Sequence, residues 1–331
     1  MKYQSPLAAP RPPPTIDAKD LTPELFAQYR NRRPLLIRNL ISVSQLATWT
    51  GPDLNASPLQ SGLARDLLLP SAAAATNDND THSVMLAHDG RAFVDDERFT
   101  QRKQVSTEAI LAHVTRPAPP LASPTDPLSK DAALGPADRM YYRAVIPPNS
   151  DLMHSLPLNT IRSACLTCPD QDRINPDLVK AWVSSPGCVT PLHFDYCQGL
   201  LLQIIGTKFF MQFAKAETMD MYPSNSPNLP RHVSRVPHVS VLFGIDPRTG
   251  ERATGGLAAD LREVVDWTVS KFPRIKETEP YGVVLGPGDA LYTPPGWMHE
   301  VVSVSGSVSV TVPWDMTAEE FSEIPPYMMR D

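Results

Sequence analysis

From Thr190 onward, short apolar-rich runs alternate with Gly- and Pro-containing turns: residues 200–205, 208–213, 238–243, 282–285, 290–293, 301–304 and 307–312. Runs of this length, bounded by turn residues, predict the strands of a sandwich or barrel. One stretch breaks the pattern. Leu257, Leu261, Val264, Val265 and Trp267 roughly follow helical spacing and predict a helix over residues 257–272. Upstream the pattern is mixed. Residues 22–31 read as a helix capped by Thr22 with Pro23 in its first turn, and residues 34–40 as a strand. Residues 72–80, small and polar, read as a loop. Residues 84–93 read as a strand pair turning at Asp89-Gly90, residues 107–114 as a short helix, and residues 139–146 and 178–184 as two further strands.

Two proline-dense segments divide the chain. Residues 10–14 hold four prolines and predict a flexible, extended tail over residues 1–14. Residues 117–127 hold five and predict an exposed linker. The expected organisation is therefore an N-terminal α+β segment over residues 15–130, ending in that linker and packed on a β-rich core over residues 131–331.

Charge and composition narrow the function classes. Thirty Lys and Arg against 36 Asp and Glu leave a net charge of -6, which argues against broad adhesion to nucleic acid or to an anionic membrane. The densest basic cluster, Arg30, Arg32 and Arg33, reads as a solvated helix end. The first residues lack the apolar centre of a signal peptide, and no long apolar window follows, so a cytoplasmic or nuclear location is expected. Four cysteines in 331 residues are expected to be reduced thiols. Cys165 and Cys168 form a C-x-x-C, but Cys188 and Cys197 lack the close spacing a four-thiolate zinc site wants.

The chemistry concentrates in two segments. In Thr190-Pro191-Leu192-His193-Phe194-Asp195, an extended backbone puts His193 and Asp195 on one face. An imidazole and a carboxylate fill two positions of a metal, and a second histidine would complete the two-His, one-carboxylate triad that leaves iron(II) open positions. Gly288-Asp289 turns into residues 290–293, and Pro294-Pro295-Gly296-Trp297-Met298 leads to His299, the natural third ligand. The prolines stiffen the approach, Gly296 permits a bend and Trp297 supplies an apolar wall. Between these segments, Gly206-Thr207 predicts a two-residue hairpin joining residues 200–205 to 208–213, with Gly206 in a type II′ turn. Its register would put Gly199, Leu201, Gln203, Lys208 and Phe210 on one side. That side is either a solvent face with a solvated lysine or a polar cavity, and in a cavity the lysine suits a dicarboxylate cosubstrate.

These motifs, in this order, resemble the JmjC/cupin-like iron(II)- and 2-oxoglutarate-dependent oxygenases. The similarity runs through Thr190, His193, Asp195, Gln203, Gly206 and Lys208, then from Gly288 to His299, and covers about residues 139–316; the run from Arg33 to Arg38 resembles the family's opening strand. The resemblance implies a double-stranded β-helix, or jelly-roll, core with N-terminal and inserted helices. It implies Fe(II) on His193, Asp195 and His299, with 2-oxoglutarate and O2 as cosubstrates. It further implies that Lys208 and Thr190 hold the distal carboxylate, with Gln203 and either Tyr141 or Tyr142 (Tyr142 preferred) assisting. Hydroxylation of a protein or peptide side chain, with release of succinate and CO2, is the expected activity; a small-molecule or tRNA-base oxygenase and a non-catalytic jelly-roll binding module are the alternatives. A zinc hydrolase lacks an obvious carboxylate to activate its nucleophile. The sequence departs from the family at Gly199 and Val312, where relatives often carry asparagine.

Overall fold

The computed structural model describes residues 7–50, 81–87, 100–115, 139–168, 173–224, 230–246, 250–252 and 259–324. Its strands are β1 (Thr15–Asp17), β2 (Leu35–Arg38), β3 (Thr81–Ala87), β4 (Thr100–Ser106), β5 (Tyr141–Val145), β6 (Lys180–Ser184), β7 (Val189–His193), β8 (Gln198–Ile205), β9 (Lys208–Phe213), β10 (Tyr281–Leu285), β11 (Ala290–Tyr292), β12 (Met298–Ser303) and β13 (Ser307–Trp314). They form a large sheet, ordered β1-β2-β11-β8-β13-β6-β5-β3-β4, and a small one, ordered β10-β9-β12-β7. This is the mainly β, jelly-roll architecture the pattern predicts. The expected loop over residues 72–80, the turn at Asp89-Gly90 and the linker over residues 117–127 lie outside the described residues.

Alternation along the strands explains the layering. Leu200, Leu202 and Ile204 of β8 face outward into a core that includes Phe26 of the helix Pro23–Ala27, Ile110 of the helix Thr107–Thr115 and Ile161 of the helix Leu158–Cys165. Phe209, Met211 and Phe213 of β9 face outward from the small sheet into a second core, with Val265 and Val269 of the helix Ala259–Lys271. Between the sheets lie the complementary positions, among them Leu36, Phe210, Val283, Leu285, Leu291 and Val301. Burying one such side chain contributes about 1.5 to 3 kcal/mol, so each sheet is held by a separate apolar cover and the space between them can carry polar groups.

That layering overturns the predicted hairpin. β8 pairs with β11 and β13, whereas β9 pairs with β10 and β12. A hairpin would have put both outward apolar faces on one layer; crossing between sheets gives each its own cover. The crossing occurs at Gly206, with φ of 68°, where a Cβ would lie 2.0 Å from the Gly306 carbonyl oxygen. The Thr207 amide donates to Ser305 Oγ, and the Val304 amide to the Thr207 carbonyl. Gly306 in turn abuts Val114, whose carbonyl oxygen would stand 1.7 Å from a Cβ there. The backbone is tightly packed at this end of the sandwich.

Two further expectations are corrected. The described part of the expected flexible tail is anchored: Leu7 is buried in the core outside the small sheet, and Arg11 bonds through its backbone to Pro280 and Gly282, while residues 1–6 lie outside the described residues. Prolines tolerate this edge position because they have no N–H to leave unpaired. Val239–Leu242 forms one helical turn instead of a strand, because the Val239 and Ser240 amides donate to the buried Glu300 carboxylate at 2.8 Å each. β3 pairs with β4 on one side and β5 on the other, and residues 91–93, expected as its partner, lie outside the described residues. Elsewhere the helix cap is as expected, with Thr22 Oγ1 accepting from the Leu25 amide, although that helix ends at Ala27.

Candidate metal centre

Cross-strand register brings the chemical groups to one cavity. His299 of β12 stands opposite both His193 of β7 and Gln212 of β9; Val301 stands opposite Thr190 and Phe210, and Ser303 opposite Lys208. Directly paired residues share a face, so His193, Thr190, His299, Lys208 and Gln212 all look inward. Thr190 and His193 are three residues apart, an odd spacing that a regular strand would put on opposite faces. A β-bulge solves this: the three steps of β7 span two steps of β12.

His193, Asp195 and His299 each offer a ligand atom within 4.8 Å of the others. The ring atom His193 Nδ1 lies 2.7 Å from the Pro191 carbonyl, and His299 Nδ1 lies 3.1 Å from the Trp297 carbonyl. With both Nδ1–H groups donating to backbone, each Nε2 keeps its lone pair for a metal. Asp195 holds the motifs together as well, because its carbonyl accepts from the Gly296 amide at 2.9 Å. Gly296, with φ of 74°, makes the bend that delivers His299, and Trp297 is buried beside Tyr281. Desolvation and the neighbouring His299 depress His193 to about 4, so it stays neutral and ligand-ready. Desolvation works to raise the Asp195 carboxyl, but the two imidazoles prevail and hold it below its ordinary value. Two imidazoles and one carboxylate, oriented by outer-sphere bonds, suit a divalent metal.

Lys208 is 1% exposed, and no carboxylate lies within ion-pair distance of it among the described residues. Desolvation lowers it to about 8. The inner hydroxyls around it include Ser184, which lies 2.7 Å from Ser303 Oγ and 2.9 Å from Ser307 Oγ. The Tyr141 hydroxyl lies 3.1 Å from Thr190 Oγ1. These serines lie on three strands other than that of Lys208, so only the register between strands brings them there.

Other expected site residues fare differently. Tyr142 points away, with its hydroxyl 3.4 Å from His82 Nδ1 in the outer core, so Tyr141 is the cavity tyrosine. Gln203 is inward and buried, yet its amide nitrogen donates to the Ile205 and Gly206 carbonyls; it braces the sheet crossing, and its carbonyl oxygen has no partner among the described residues. Val312 belongs to the outer core and does not face the cavity, whereas a Cβ on Gly199 would meet only ordinary contacts, the nearest at 3.6 Å. Cys165 and Cys188 lie in separate cores, and no cysteine joins a metal-binding group among the described residues.

The sequence matches the cupin-like domain family over residues 23–320. The chain belongs to the cupin-like JmjC family. That family generally uses Fe(II) and 2-oxoglutarate. Among individual relatives, the chain is 31% identical to Jumonji C domain-containing protein 5 of Drosophila melanogaster, over 41% of this chain and 27% of that protein. It is 29% identical to lysine-specific demethylase 8 of Xenopus tropicalis, over 45% and 27%. It is 23% identical to tRNA wybutosine-synthesizing protein 5 of Danio rerio, over 45% and 36%. The matched stretch thus spans under two fifths of each of these relatives. A tRNA-modifying relative also means that the low net charge gives no ground for excluding nucleic acid. No helix among the described residues is long and apolar enough to cross a membrane.

Proposed function

We propose that this protein is an Fe(II)- and 2-oxoglutarate-dependent dioxygenase that hydroxylates a protein or peptide side chain. The observation that carries the reading is a pair of features on one inner face: a metal-competent His193, Asp195 and His299, and the buried ammonium of Lys208, with no carboxylate in ion-pair range among the described residues. A metal site alone fits many chemistries. Iron(II) with 2-oxoglutarate would supply the oxidant from O2, releasing succinate and CO2.

Each protein group then has a task. His193, Asp195 and His299 hold the metal and leave positions open. Lys208 offers a charge-assisted bond to the far carboxylate of a dicarboxylic acid, and Thr190 and Tyr141 supply hydroxyls beside it. The apolar inner residues Phe210, Leu201 and Val301 exclude water from the path between the two ends. Asp195 is more than half exposed, so the metal end is the one that a substrate side chain reaches from outside.

The names of the Xenopus relative and of one from Arabidopsis thaliana favour a second reading, oxidation of a lysine N-methyl group. Product analysis separates the two, since hydroxylation retains an oxygen atom while demethylation releases formaldehyde. The primary test measures bound iron and succinate formation in wild type and in a His193→Ala, His299→Ala double variant. Loss of both with an unchanged melting transition supports the assignment. Undiminished turnover by the folded double variant overturns it.

A further inference from the structure

A second cavity, of about 260 Å3, opens on the outer side of the small sheet, behind the metal-ligand segment. Its apolar lining includes Phe194, Met219 and Tyr222, and Arg231, Arg235 and Arg274 all border it. Phe194 is buried in the outer core and lies between His193 and Asp195 in sequence, pointing away from the ligands. Arg235 and Arg274 lie over the Tyr222 ring, at 5.8 Å and 5.0 Å from its centre. Arg274 is also tied to Asp220 at 3.5 Å. Arg231 and Arg235 are exposed, and neither is within ion-pair distance of a carboxylate among the described residues.

Three guanidinium groups border the cavity and, among the described residues, only that of Arg274 has a carboxylate in ion-pair range, which makes this a locally cationic site on a chain whose net charge is -6. Guanidinium groups match the planar or tetrahedral oxygens of carboxylates and phosphates. The apolar lining asks for a hydrocarbon body behind the charged head, and a volume of this size suits a small molecule. We infer that this cavity binds a small organic anion, an apolar or aromatic body carrying one carboxylate or phosphate, at a site separate from the metal centre.

The location gives such a ligand a route to the metal. The strip carrying Arg231 and Arg235 is bonded to the ligand-bearing strand: the Phe194 amide donates to the His232 carbonyl, and the Ser234 amide to the Leu192 carbonyl. An occupant that draws the two arginines together bears on the backbone that sets His193 and Asp195. Ligand binding in the outer cavity therefore changes metal affinity.

The experiment titrates the full chain with phenyl phosphate and with benzoate, following amide shifts, in wild type, in an Arg231→Ala, Arg235→Ala variant and in Lys208→Ala. The two probes separate phosphate from carboxylate as the preferred head. Expected are shifts at Tyr222, Ser224 and Arg235 in wild type and in Lys208→Ala, and affinity at least about tenfold weaker without the two arginines. Cobalt(II) titration, with and without the better probe, should show a changed metal affinity that the double arginine variant loses. Absence of shifts at those residues, or equal probe affinity in the arginine variant, overturns the site. An unchanged cobalt affinity overturns its link to the metal. Both arginines are exposed, so folding is not at stake; were the variant nonetheless unfolded, the wild-type shift map alone decides.

Discussion

Lys208 allows a prediction with two opposite signs. Its pKa is depressed from 10.5 to about 8 by burial, with no compensating carboxylate among the described residues. A fall of about 2.5 corresponds to roughly 3 kcal/mol, the amount by which the charged lysine weakens the empty fold at neutral pH. The sign follows from linkage. Because the folded pKa lies below the unfolded one, the cost is fully present below about pH 8 and fades as pH rises toward 10.5. Lys208→Met keeps the chain length and removes the charge, so the empty protein should melt a few degrees higher at pH 7. The same change should weaken 2-oxoglutarate binding at least tenfold, since a charge-assisted bond contributes about 1.5 to 3 kcal/mol. Differential scanning calorimetry and titration calorimetry read the two effects. Wild type near pH 8 should also take up protons on binding the cosubstrate, visible as heats that depend on the buffer. Equal 2-oxoglutarate affinity, or an empty variant markedly less stable than wild type, would refute an uncompensated cosubstrate lysine.

Tyr141→Phe should weaken 2-oxoglutarate several-fold, whereas Tyr142→Phe should leave it unchanged, because only Tyr141 reaches Thr190; comparable losses in both would undo the face assignment. Gly206→Ala should destabilise the fold by about 3 kcal/mol or more, through a positive φ and a 2.0 Å approach to Gly306, as chemical denaturation would measure. Gly199→Asn should fold normally, because the nearest atom to its Cβ lies at 3.6 Å. It should leave 2-oxoglutarate affinity equal or improved while slowing oxidation of the native substrate; faster coupled oxidation would show that position 199 does not contribute substrate space.

The site was more legible than the topology, and the reason is range. Which side of a strand a residue occupies depends only on its neighbours, so His193 with Asp195, and Lys208 with Phe210, could be read from parity. Gln203 and Lys208 do share the inner space, although from opposite sheets and not across a hairpin. Pairing is non-local, and nothing near Gly206 announces the approach of Gly306, a hundred residues later. Choosing Tyr141 over Tyr142 needed the register that sets Tyr141 opposite Ser184. The Val239–Leu242 turn is helical because of Glu300, whose partners are about sixty residues away, so its apolar composition read naturally as strand. The Thr190 spacing made sense only with the bulge at Pro191 and Leu192.

The tight seam of Gly206, Gly306 and Val114 lies at the Lys208 end of the inner space, away from the exposed carboxylate of Asp195. Lys208 begins its strand next to that seam, whereas His299 is paired four residues further along, roughly 13 Å at the usual strand rise. On the proposed reading, a molecule that enters at the exposed Asp195 end passes the iron before it reaches Lys208. The cosubstrate therefore loads ahead of the molecule to be oxidised, and its spent form leaves only after the product has cleared the threshold. Kinetics should obey a compulsory sequence, with the oxidised partner first out and succinate last.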